Sequence, residues 1–202
     1  MRETKYTFNN MRRHTKAIRV QTSSVLREHS SAIDQEFAAF DNYLSELEKQ
    51  PATLERNVKM MLACKFLNHV YSAFILAESG LIVDAILCER NALETIAFHW
   101  LVCLDPKAVI EYEQGNIPRP VEVRQRLEHL GADVTHLRGL YASGSKASHV
   151  GRESEQFHSQ WESPSKGILL VGGAFALEDQ AEMFSILPAL LELFFEPIGA
   201  TQ

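Results

Sequence analysis

Arg90 and Glu94 stand about one helical turn apart in the most apolar stretch of this chain, LIVDAILCERNALETIAFHWLVCL at 81–104. Wound at about 100° per residue, Val83, Ile86, Leu87, Leu93, Ala97, Leu101 and Leu104 fall on one stripe, with Arg90 and Glu94 inside it. Charges taken out of water cost desolvation energy, so such a pair needs partners. Buried charges also cluster in ligand pockets and active sites. As a structural staple the same pair fixes helix register, and loss of one partner then costs about 3–5 kcal/mol. A Glu placed N-terminal to its cation suits the helix dipole better than the order found here, which points to partners on another helix. LYASGSKASHVG at 140–151 supplies candidates: on a continuous helix Tyr141, Ser145 and Ser148 share a face, with His149 at its edge. The expected polar pocket is therefore Arg90, Glu94, Tyr141, Ser148 and His149.

Other chemistries leave weaker marks. The eight histidines are scattered and form no H-x-x-x-H pair, so neither a metal nor a cofactor is expected. Gly172-Gly173 lacks the Lys-Ser/Thr that follows a phosphate-binding loop, and Ser143-Gly144-Ser145 is no nucleophile elbow. Cys64, Cys88 and Cys103 are odd in number, widely spaced and set in apolar sequence, as expected of free thiols in a reducing cytoplasm.

The elements that must position these residues are helical. Ten Gly and seven Pro in 202 residues provide few tight turns, and 46% hydrophobic with 23% charged content is ordinary globular usage. Apolar positions at Ile18, Val25, Ile33, Phe37, Phe40, Leu44 and Leu47 predict a long helix from about Met11 to Lys49, thin enough near 21–31 to break or kink. A second helix is expected over about 52–79, closed by Gly80, and a third over 81–104. This third helix carries Cys88, Ala92, Thr95, His99 and Cys103 on its far side, as a central helix would. Asp105-Pro106 starts a short helix that stops at Gly115. The turn NIPRP leads to another short helix at 120–130, and a further helix is expected over 132–149, where Gly139 and Gly144 permit a break or a close helix contact. Residues 150–177 read as a long excursion with a small hairpin around Ile168–Val171, and the last helix, about 177–195, should bend or split at Pro188.

The expectation is an all-α fold: an antiparallel up-and-down helical bundle of about five main helices, with short extra helices and one long loop near 150–177. Residues 1–50 form the long helix with a basic start, and 51–202 form the bundle on which it packs. The net charge of −6 is uneven: Arg2, Lys5, Arg12, Arg13, Lys16 and Arg19 face only Glu3 over residues 2–19. Arg12, Arg13, Lys16 and Arg19 are the candidate nucleic-acid contacts, against the plainer reading of a solvated helix start. The N-terminus has no apolar signal region, and charges interrupt 81–104 and 183–195, so neither stretch is expected to span a membrane.

DAILCERNALETIAFHWLVCLDP and LYASGSKASHVG resemble segments of uncharacterised prokaryotic helical families similar to the HEPN group, over roughly residues 55–195. The resemblance implies a helical bundle, often dimeric, and hence a homo-oligomer. Active members of that group are metal-independent ribonucleases with an Arg followed after four to six residues by a His. Arg124–His129 and Arg152–His158 meet that spacing, the first on a short polar helix and the second in a loop. Arg90 is followed by Asn91, but the next His is His99, nine residues on and on the opposite helix face. The leading expectation is a cytoplasmic binding or interaction module that self-associates, with an RNA or protein partner. The alternative is a HEPN-like endoribonuclease or a component of a toxin or phage-defence system, with His149 as base and Arg90 or Arg152 stabilising phosphate charge.

Overall fold

In the computed structural model, which describes residues 8–148, 159–163, 166–169 and 177–196, a long helical hairpin frames the chain. Helix α1 (Phe8–Lys49) is one uninterrupted helix of 42 residues, so the thin stretch at 21–31 neither breaks nor ends it. Helix α2 (Leu54–Glu78) returns alongside, and polar contacts pin both ends of the pair. At one end Thr53 caps α2 by accepting from Arg56 N, while Arg56 Nε donates to Leu47 O (2.7 Å) at the end of α1. At the other end Thr22 Oγ1 lies 2.9 Å from Glu78 O, and Arg19 Nε donates to Ser79 Oγ (2.8 Å). Gly80 ends α2 with φ +74°, a conformation that costs glycine little, and Leu81 N then reaches back to Leu76 O (2.9 Å).

Helix α3 (Ile82–Leu104) is the central element, packed against α2 and against the helices that follow it. Those are α4 (Pro106–Glu113), α5 (Pro120–His129), α6 (Thr135–Ser148) and α7 (Leu177–Leu193). The described residues thus form seven helices: the five main ones expected and the two short extra ones, α4 and α5. A two-stranded antiparallel ribbon, β1 (Ser159–Ser163) with β2 (Lys166–Leu169), sets Gln160 opposite Ile168. It places the expected hairpin slightly earlier in the chain than Ile168–Val171. Helix α7 continues through Pro188 without splitting. Gly139 serves no close helix contact, since a Cβ there would meet nothing within 4 Å.

The core lies where α1, α2, α3 and α7 meet. Phe40 and Phe66 stack at 5.2 Å, and Phe194 just beyond α7 lies 4.7 Å from Phe40 and 4.9 Å from Phe66. All three rings are fully buried. Burying such side chains is worth roughly 1.5–3 kcal/mol each. Trp100 Nε1 donates to Leu193 O (3.2 Å), fixing α3 to the end of α7.

Candidate functional site

The apolar arc of α3 is turned relative to the expected stripe. Its buried residues include Ala85, Glu89, Ala92, Leu93 and Ile96, an arc centred about 100° from Arg90 at 100° per residue. Leu87 is 39% exposed. The side chains of Arg90 and Glu94 are 26% and 32% exposed, so the pair sits at the edge of the core and is not enclosed by it. The acid that is enclosed is Glu89, 5% exposed. Burial first, and then the charge of Glu182, push its carboxyl up to about 7.

Arg90 and Glu94 do find the partner on another helix. Arg90 Nη2 donates to Tyr141 Oη (2.6 Å), and Tyr141 Oη donates to Glu94 Oε1 (3.2 Å). The direct contact, Arg90 Nε to Glu94 Oε1, is the longer 3.6 Å. The phenol is thus a bridge between cation and anion, linking α3 to α6. Two guanidiniums also lie over its ring, Arg90 at 4.8 Å and Arg124 of α5 at 4.4 Å from the centroid, within cation–π range. Ser148 ends α6, but its side chain and the whole of His149 lie outside the described residues, as do Arg152 and His158. Arg124 and His129 part ways: Arg124 lies over Tyr141, while His129 is exposed with Nδ1 2.6 Å from Gln125 O in its own helix.

Beside Glu94, away from Tyr141, opens a cleft of about 410 Å³ between α2, α3 and the α4–α5 segment. One wall is polar: Lys65 and His69 from α2, and Asn91, Glu94 and Thr95 from α3. The α4–α5 side is apolar or aromatic, with Tyr112, Ile117, Pro118, Pro120 and Val123, and Leu62 of α2 and Phe98 of α3 add apolar surface beside the polar side chains. The Nε2 atom of His69 is itself buried, without a hydrogen-bond partner among the described residues. The pKa of His69 is lowered, mainly by burial and then by Lys65, with Glu94 opposing. A buried polar atom left unpaired costs about 1–3 kcal/mol.

The far wall is held by one arginine. Arg126 of α5 donates from Nη2 to Asp105 Oδ2 and from Nη1 to Glu111 Oε2, both 2.6 Å. Asp105 also caps α4, accepting from Lys107 N (3.0 Å). The hydrogen bond from Arg126 is the main reason that the Asp105 carboxyl is held below its ordinary range. Glu122 accepts from Arg119 N (3.0 Å) and so closes the start of α5. The NIPRP turn, read from sequence only as a connection, is therefore a fixed part of the cleft.

Sequence reasoning did not single out Lys65 and His69. Leu62, Lys65 and His69, at spacings of three and four, share one face of α2, and that spacing is the signal that could have found them. His99, expected on the face opposite Arg90, is there. It is fully buried, 2.9 Å from Tyr43 Oη through Nε2, and stacked on Phe194 at 4.0 Å. Burial, then Lys59, lowers its pKa to about 3. Of the basic start, Arg12, Arg13 and Lys16 join Asn9 around an open depression of about 340 Å³, whereas Arg19 is used to hold the end of α2. Among the described residues, no group of three His, Cys, Asp or Glu is placed to hold a metal.

Comparison of the chain with family models, with curated proteins and with solved structures returned no match.

Proposed function

We propose that this chain is a helical binding module that takes a small, partly apolar ligand in the cleft beside Glu94 and that self-associates through α2. One observation carries the ligand reading: a cleft of about 410 Å³ that sets the polar side chains Lys65, His69, Asn91, Glu94 and Thr95 against a largely apolar and aromatic lining. That volume lies in the range of small-molecule sites, roughly 300–1,000 Å³, and a few polar groups on an otherwise apolar surface are their usual composition. The Arg90–Tyr141–Glu94 bridge serves this site by holding the Glu94 carboxylate in place from behind. Self-association is supported by α2, which is long and apolar enough by length and composition to cross a bilayer although only 33% of that stretch is buried. Met61 and Tyr71 are more than half exposed on it. Helices apolar on all sides are normally covered.

The test is thermal denaturation against a fragment library, with sedimentation velocity on the same sample. A ligand of the cleft raises the melting temperature as its concentration rises, and the effect is lost in Glu94→Leu. Hits that persist unchanged in Glu94→Leu remove the cleft reading. A sedimenting monomer at high protein concentration removes self-association.

A further inference from the structure

The first turns of α1 stand apart from the rest of the chain in charge. Of the net charge of −6, Phe8–Arg27 contributes +5, from Arg12, Arg13, Lys16, Arg19 and Arg27 with no Asp or Glu, and so leaves −11 elsewhere. They also stand apart in space. Thr22 Oγ1, 2.9 Å from Glu78 O, lies level with the last residue of α2. His29 lies beside Phe184 (6.3 Å) and Phe40 beside Phe194 (4.7 Å), so α7 runs along α1 in the same direction, and its first residue, Leu177, also falls near the level of Thr22. At 1.5 Å per residue the segment from Phe8 to Gln21 therefore projects about 20 Å past the described ends of both neighbours.

The rotation of this projecting segment is fixed. Ile18 (2% exposed) and the buried Thr22 point inward, and Arg19 is tied through Nε to Ser79 Oγ (2.8 Å), with Glu78 Oε2 at 3.6 Å. At about 100° per residue, Asn9, Arg12, Arg13 and Lys16 then share the opposite face. All four are exposed, and they line one open depression of about 340 Å³. Arg12 and Lys16 lie about one turn apart, and Arg13 beside them donates from Nη2 to Asn10 Oδ1 (2.9 Å). Like charges gathered on one face repel one another, and a polyanion laid across them relieves that repulsion.

The exposed side chains discriminate between an anionic membrane and a nucleic acid. A helix that lies on a membrane carries a broad apolar face beside its basic one. Among the described side chains of this segment only Ala17 and Val20 are exposed and apolar, and the larger Ile18 is turned inward. Backbone phosphates ask only for cations and hydrogen-bond donors, which Asn9, Arg12, Arg13 and Lys16 supply.

We infer that the projecting basic face of α1 binds the phosphate backbone of a nucleic acid through Arg12, Arg13 and Lys16, without regard to base sequence. None of these residues lines the cleft beside Glu94.

The experiment titrates the full chain into a fluorescently labelled duplex DNA and a labelled single-stranded RNA of equal length, read by anisotropy over a range of salt. Sedimentation with vesicles of phosphatidylcholine containing phosphatidylserine runs alongside. The expected result is nucleic-acid binding whose logarithmic affinity falls against logarithmic salt with a slope of about −2 to −3, for three phosphates at roughly −0.7 to −0.9 each. Arg12→Gln with Lys16→Gln should weaken binding at low salt at least about tenfold and reduce the slope by roughly two phosphates' worth. Lys49→Gln with Lys107→Gln removes the same charge from exposed positions elsewhere and should leave the slope unchanged. Circular dichroism confirms the fold of both double variants, and the two probes tell DNA from RNA as the source of the phosphates. No binding at low salt, or equal losses in the two double variants, overturns the proposal. Vesicle binding without nucleic-acid binding overturns it in favour of a membrane surface.

Discussion

Tyr141 carries the polar node through one atom. Its oxygen receives Arg90 at 2.6 Å and donates to Glu94 at 3.2 Å, and among the described residues no other side chain joins those two charges as closely. Tyr141→Phe keeps the ring under Arg90 and Arg124 and removes only the bridge. We expect a loss of about 1–2 kcal/mol, the cost of a hydrogen bond to charged groups in a half-buried place, measured by urea denaturation. Removal of the whole ring in Tyr141→Ala should cost more, because the two guanidiniums then also lose their π-face. Equal losses in the two variants would show that the hydroxyl carries the entire effect. His69 and Glu89 make a different point. Each is a polar residue whose burial depends on side chains distant in sequence, and neither is distinguished by its immediate neighbours.

Among the elements, α4 and α5 are short, and neither would persist alone at such length. They hold their place through Arg126, which ties the start of α4 at Asp105 to its last turn at Glu111. The guanidinium side chain is 29% exposed, so the ion pairs are partly screened. Arg126→Ala should therefore cost only about 1 kcal/mol of global stability. Its larger effect is local: hydrogen exchange in α4 and α5 should quicken, and ligand affinity in the cleft should fall, because the wall carrying Tyr112, Pro118 and Val123 loosens. Unaltered exchange across 106–129 would rule out that role. The order of the elements was legible beforehand because their boundaries are chemical: Pro51, Gly80, Asp105-Pro106 and Gly115 each terminate or start a helix by local backbone preference. The rotation of α3 was not legible. Beyond Ala92 the helix is apolar on nearly every side, so periodicity alone does not say which arc faces the core.

At the scale of the whole molecule, two buried groups oppose one another in pH. Glu89 is raised from its ordinary 4.5 to about 7, so the folded chain holds a proton that the unfolded chain releases. Its contribution is full at low pH and is lost as pH rises through that window. His99 is lowered from 6.5 to about 3, so the unfolded chain binds the proton first. Its contribution is present above 6.5 and is lost as pH falls toward 3. The two slopes cancel between about pH 4.5 and 6.5, and stability should be flat there. Glu89→Gln removes one slope: relative to the parent chain it should gain on the order of 2–3 kcal/mol between pH 4.5 and pH 8. Chemical denaturation at the two pH values measures this directly, and parallel pH curves for variant and parent would show that Glu89 is not protonated in the fold.

Local chemistry in the sequence was enough to determine that the chain is helical, where most helices start and stop, that α3 is central, and that Arg90 and Glu94 need a partner beyond their own helix. Capping, proline and glycine act over a few residues, so they survive without tertiary information. The tertiary structure alone decided that Tyr141 is that partner, that Glu89 rather than Arg90 is the deeply buried charge, and that Lys65 and His69 line one cleft with Glu94, closed by a proline-rich turn. Those facts depend on how the helices are rotated about their axes and on contacts between residues far apart in the chain, 51 positions in the case of Arg90 and Tyr141. No short-range preference encodes them.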